Sequence, residues 1–182
     1  MNYYGAKELA NSFRTVRRNT IQSAEDIPDD QYGFTPAEGS RSIAQTLVHI
    51  ALSPQLQLAI HAGERRTSFE GFDFPALMKQ FAEEEAKART KAQILELLQT
   101  EEETWATFLE GVSEDFLAEP FTMPPGATPA SKSRFEMLLS AKEHEMHHRG
   151  QLAVAQRLLG IVPHLTKARE AHAAQAKPAA TS

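Results

Sequence analysis

Three histidines fall within five residues in the stretch from Ser140 to Gln151, SAKEHEMHHRGQ. His144 and His148 stand four apart, a spacing that puts both imidazoles on one face of a helix, one turn above the other. Two imidazoles about 6 Å apart along a helix axis can converge on one divalent ion, each nitrogen about 2.0 to 2.1 Å from it. Such a pair needs a third ligand from elsewhere in the chain. Because the chain has no cysteine, disulfides, thiolate ligands, iron–sulfur clusters and a cysteine nucleophile are all excluded, and any metal is held by His, Asp or Glu.

The elements that must position this pair are legible from apolar periodicity. A first helix spans about Ala6 to Ala24, with Leu9, Phe13, Val16, Thr20 and Ala24 as its stripe and Arg14, Arg17 and Arg18 on the other side. A second begins at a cap on Ser40 or Ser42, runs to about Ala62 and closes at Gly63, with a kink or restart at Ser53-Pro54. The aromatic run FEGFDFP reads as a loop packed over the body through Phe69, Phe72 and Phe74, followed by a shorter helix from Pro75. Thr90 and Gln93 make a capping box for a third long helix, whose buried stripe of Ile94, Leu98, Trp105, Phe108 and Val112 is interrupted by Glu101. Four prolines and a glycine between Phe116 and Ser131 predict a loop without helix. The fourth long helix covers about Ser133 to Gly160, with Met137, Ala141, His144, His148, Gln151, Leu152, Ala155 and Leu159 on one side and Lys142, Arg149, Gln156 and Arg157 opposite.

Four long amphipathic segments without a convincing strand predict an all-α fold, a four-helix bundle with long connections, as one domain over residues 1–162. Residues 163–182, rich in Ala, Lys and Pro, predict a frayed helix running into a disordered tail. Bundle metal sites are built from side chains on facing helices, which makes His49, beside the apolar stripe of the second helix, the natural third ligand. His147 lies about 100° round the helix from His148, on the flank of the stripe. His61 falls in the last turn of the second helix, where an imidazolium favours the dipole. His164 and His172 fall in the tail.

His144 and Glu145 also open an H-E-x-x-H pattern, the signature of zinc proteases. Its extended form fails at Gln151 and Val154, no sheet is evident to hold a peptide, and Glu170, the downstream carboxylate at plausible spacing, lies in the polar tail. The protease reading is therefore set aside. The composition is that of a soluble globular chain, 41% hydrophobic and 24% charged, and its net charge of -5 argues against a general nucleic-acid binder. The N-terminus lacks the apolar region of a signal peptide and no apolar run is long enough to span a bilayer, so a cytoplasmic protein without membrane attachment is expected.

The histidine in TLVHIA (His49) together with the H-x-x-x-H-R-G-Q segment in HEMHHRGQL resembles the DinB/YfiT-like metalloenzyme family, over the chain from the first helix to about Gly160. The resemblance implies a four-helix bundle, often a homodimer, whose divalent metal is bound by three histidines: here His49, His144 and His148. It also implies, for some relatives, thiol-dependent transfer or isomerisation with a low-molecular-weight thiol. Exposed apolar residues around Phe69 to Phe74 point the same way on dimerisation.

Three neutral imidazoles leave the full charge on a metal and keep positions open, which suits acidifying water, polarising a carbonyl or binding a thiol. Zinc and nickel both suit imidazole. The expected activity is metal-assisted transfer of a small thiol to a small-molecule electrophile, with metal-dependent hydrolysis as the alternative and a non-enzymatic helical metal-binding or stress-response module as a third. Glu145, the carboxylate nearest in sequence, can act as a base or orient a histidine, but its place on the helix flank better fits a solvated side chain. Glu101 is a candidate partner for the site by virtue of interrupting a buried stripe.

Overall fold

The fold, described for residues 4–175 by a computed structural model, is built from helices with one short hairpin. Its long elements are α1 (Ala6–Asp26), α2 (Ile43–Leu52) continued by α3 (Pro54–Leu58), α5 (Lys91–Gly111) and α7 (Arg134–Leu158). Around the bundle they neighbour one another in the order α1, α5, α2, α7, and α4 (Phe74–Ala86) lies against α2 on the outside. This is the expected four-helix bundle.

Local chemistry sets the helix boundaries. Ser42, Thr90 and Ser133 each accept from the backbone N–H three residues on, and Gln45, Gln93 and Glu136 reach back to the cap, giving three reciprocal capping boxes. Pro54 breaks the second helix where expected. Proline has no N–H for the carbonyl four residues back, here that of Ile50, and this oxygen accepts instead from Ser53 Oγ at 3.0 Å and from Arg17 Nη2 at 3.2 Å. A π-helical turn, Ala59–Gly63, ends the run.

Two apolar clusters fill the bundle. One joins Ile43, Leu47 and Ile50 to Ile94, Leu98, Leu152 and Ala155; the other joins Leu9 and Phe13 to Trp105, Leu109 and Leu138. Three expected exposures are overturned. Arg17, placed on the solvent side of α1, is fully buried, as are Glu145 and Gln156 of α7. Each has a partner that makes burial tolerable: Arg17 and Glu145 pair with each other, and Gln156 Nε2 donates to the Ser23 carbonyl at 3.3 Å.

The proline-rich connection is more ordered than its composition suggests. Ser113 caps a short helix, α6 (Glu114–Ala118), by accepting from Phe116 N–H at 3.1 Å, so a helix enters the stretch expected to lack one. Strands β1 (Pro120–Thr122) and β2 (Ser131–Ser133) then pair antiparallel. The aromatic loop docks on this hairpin, with Phe69 edge-on to Phe121 at 4.9 Å. Phe69 and Phe72 are thereby partly covered, and Phe74 alone of the three is exposed. The expected tail begins with a helix, α8 (His164–Gln175), which buries no residue but meets α1 where His164 Nε2 stands 3.1 Å from Asn19 Oδ1. The disorder expected at its end lies outside the described residues. No helix among the described residues is long and apolar enough to cross a membrane.

Candidate metal centre

His49 comes from the last turn of α2, and His144 and His148 from successive turns of α7, so the facing of two bundle helices brings together the pair singled out by spacing and the third histidine expected from a facing helix. Their ring nitrogens lie within 4.8 Å of one another. His144 Nε2 is 3.2 Å from His49 Nε2 and 3.2 Å from His148 Nε2. Two nitrogens at about 2.0 to 2.1 Å from a shared ion stand about 2.9 Å apart at a right angle and about 3.3 Å apart at the tetrahedral angle. The two spacings about His144 lie between those limits.

The hydrogen bonds behind the rings strengthen this fit. His49 Nδ1 is 2.7 Å from Glu85 Oε1, and a carboxylate there requires Nδ1–H as donor, which leaves Nε2 as a lone pair facing the cluster. His148 Nδ1 is 2.8 Å from Gln151 Oε1 and is held in the same tautomer. Gln151 Nε2 in turn faces His147 Nε2 at 3.1 Å, which sets the amide's orientation. His144 Nε2 can donate to one of its two neighbours at most, so at least one 3.2 Å contact has no proton between its nitrogens, a gap that a cation bound by the lone pairs would fill. Protonation offers no relief: burial, aided by the neighbouring imidazoles, pushes His144 down to about 4, and burial also lowers His49 and His148. The donor set therefore fits a divalent ion that prefers imidazole.

Sequence reasoning missed the residues behind this triad. Glu85 ends a run of three glutamates on α4, and only the packing of α4 on α2 selects it. Its second oxygen accepts from Arg41 Nε at 2.6 Å, so both oxygens are engaged. Gln151 was placed on the correct side of α7 but without a role.

The other candidates fall elsewhere. Glu145 is neither a base in the site nor solvated: both its oxygens accept from Arg17 Nε at 3.0 Å, in the bundle interior. Glu101 accepts from Gln55 Nε2 at 3.0 Å, and burial raises its pKa. His147 is exposed and outside the cluster. His61 is not a cation at a helix end: it is buried, burial beside the Arg134 guanidinium pushes it down to about 4, and its Nδ1 accepts from Arg134 Nη1 at 2.8 Å.

Two cavities reach the histidines from different sides. The larger, about 670 Å³, is bounded by the loop at Pro36 to Arg41 and by His148, Gln151 and Leu152. The smaller, about 290 Å³, is bounded by His49 and His144 with Leu56, Phe74, Met78 and Phe81.

A sequence model described as the DinB superfamily matches residues 12–152. The uncharacterised protein YjoA of Bacillus subtilis is 29% identical over 155 residues, covering 85% of this chain and 91% of YjoA. The crystal structure of YjoA, described as DinB-like, superposes with a TM-score of 0.61 at 25% identity, over 84% of this chain and 92% of that one. YfiT of the same organism, described as a probable metal-dependent hydrolase with an unusual four-helix bundle topology, shares the fold at a TM-score of 0.66 and 18% identity, over 88% of this chain and 91% of its own. With the histidine geometry and the match across most of its length, the chain belongs to the DinB superfamily.

Proposed function

We propose that this chain is a divalent-metal-dependent enzyme that joins a low-molecular-weight thiol to a small electrophile, with zinc or nickel held by His49, His144 and His148. The observation that supports transfer is the pair of separate cavities, each bounded by at least one of the three histidines, which suits a reaction of two substrates. When bound, the ion would supply a positive charge that acidifies a thiol and polarises an electrophile. In the reaction the thiol sulfur forms a bond to the electrophilic carbon, the leaving group departs with the electron pair of its own bond, and the thiol proton passes to it or to solvent.

The protein's part is positioning. Glu85 and Gln151 hold His49 and His148 with Nε2 inward. The aromatic and methionine side chains of the smaller cavity keep water from one approach, and Leu152 and Ala155 line part of the other. Hydrolysis is the second reading, and the description of YfiT as a probable metal-dependent hydrolase favours it. Against it stands the engagement of both oxygens of Glu85 and of Glu145, which leaves neither carboxylate free to deprotonate water.

Steady-state turnover of an activated alkyl halide by zinc- or nickel-loaded protein, with and without a small thiol, separates the readings. Transfer predicts that product forms only when both thiol and metal are present. Turnover indifferent to thiol would overturn it in favour of hydrolysis. We further propose a homodimer formed through the exposed Met146, Val154 and Leu158 of α7, spaced eight and four residues apart. A monomer mass by light scattering at micromolar concentration would contradict it.

A further inference from the structure

The larger cavity has an unequal lining. Ile43, Leu152 and Ala155 give it an apolar wall, and among its described lining residues Arg41 alone carries a formal charge. Arg41 is spent on one side only. Its Nε donates to Glu85, while neither terminal nitrogen has a hydrogen-bond partner among the described residues. The side chain is 43% exposed, so its free edge is open to a ligand. Its charge is also felt at the reacting centre, being among the causes that lower all three histidines.

The helix start beside it offers no competing anion site. The first backbone donors of α2 are all occupied: Ile43 N–H by Phe34 O, Ala44 N–H by Tyr32 O, Gln45 N–H by Ser42 Oγ and Thr46 N–H by Ser42 O. Among the described lining residues the guanidinium is thus the one charged group that an anion in this cavity can meet. That guanidinium is held in place by Glu85, the same carboxylate that orients His49, so recognition and metal positioning share one residue.

We propose that Arg41 is the specificity-determining residue of the larger cavity and selects a substrate carrying a carboxylate next to an apolar body, the carboxylate on the free guanidinium edge and the apolar body against Leu152 and Ala155. This deepens the reading of the histidine cluster as the reacting centre and rests on it for the word substrate; the binding preference itself does not need the metal. A planar guanidinium takes a carboxylate by two parallel hydrogen bonds, a geometry that a neutral amide cannot satisfy with both of its atoms.

The test compares phenylacetate with its neutral isostere phenylacetamide by calorimetric titration into the full chain, once loaded with zinc and once after chelator treatment. The expected result is a preference for phenylacetate of about ten-fold or more in both forms. Arg41→Gln should abolish the preference in the metal-free form, and Arg41→Lys, which keeps the charge without the fork, should restore part of it. Helicity by circular dichroism should be unchanged in both variants. A preference confined to zinc-loaded protein means that the ion reads the carboxylate and overturns the proposal, as does a preference that survives Arg41→Gln in metal-free protein. Failure of the metal reading shows separately, as an absence of bound zinc, whatever the two ligands do.

Discussion

Two arginine–carboxylate pairs flank α7, and they differ in almost every respect that matters. Arg17 and Glu145 are wholly buried, with Nε and Nη2 on the carboxylate and the remaining donors on the Leu98 and Ile50 carbonyls. In the second pair Arg41 is half open and Glu85 largely covered, with a histidine on the far oxygen and a free guanidinium edge. Adjacent residues of one helix, His144 and Glu145, thus face opposite kinds of site: one set of polar groups is closed upon itself and holds α1, α2, α5 and α7 in register, the other is left incomplete toward a cavity. A saturated pair does structural work, and an unsaturated one is available to a ligand.

The largest expected effect breaks the closed pair. Glu145→Ala leaves a buried guanidinium without its counter-charge and should destabilise the fold by roughly 3–5 kcal/mol in urea unfolding. Glu85→Ala should change stability little, because its pair is partly solvated. A loss of similar size from both variants would erase the distinction drawn here.

The converse effect falls on metal affinity. Removing the carboxylate behind a ligating histidine weakens metal binding by about 10–100-fold, so Glu85→Ala should raise the zinc dissociation constant by that order in competition with a chromogenic chelator. Gln151→Ala, which removes a neutral acceptor from His148, should have a smaller effect in the same direction. Unchanged affinity in Glu85→Ala would show that its contact with His49 does not serve the metal.

The smallest effect sharpens the comparison at a second buried arginine, Arg134. Arg134 is met by His61, whose folded pKa of about 4 lies below the ordinary value of 6.5. As pH falls from 6.5 toward 4 the unfolded chain takes up a proton that the folded chain refuses, so this stabilisation is complete above pH 6.5 and is lost on acidification through that window. The slope is at most about 1.4 kcal/mol per pH unit. His61→Gln, which keeps an acceptor for Arg134, should flatten the dependence of unfolding free energy on pH between those values. A slope identical to that of the unaltered chain would contradict the assignment.

What was legible in the sequence was whatever depends on local spacing. The histidine pair follows from the four-residue helical repeat, and Ser42, Thr90 and the break at Pro54 follow from cap and proline chemistry. What was hidden depends on partners distant in the chain. Arg17 continues the line of Leu9 and Phe13 at four-residue spacing, but an arginine in a buried stripe is credible only once Glu145, 128 residues away, is seen to meet it. Glu85 is hidden among like neighbours, because nothing in a run of three glutamates says which one faces α2. Ser113 follows the end of α5 by two residues and is also the cap of α6, a role hidden in a stretch dominated by prolines.

The central claim is that the incomplete side of α7 holds a metal. Elemental analysis of the full chain, prepared without a histidine tag and equilibrated with zinc or nickel before desalting, tests it most directly. The account predicts about one divalent ion per chain, lost in His49→Ala and in His148→Ala while helicity is retained. Less than about 0.2 ion per chain, or a content unchanged by His148→Ala, would contradict it.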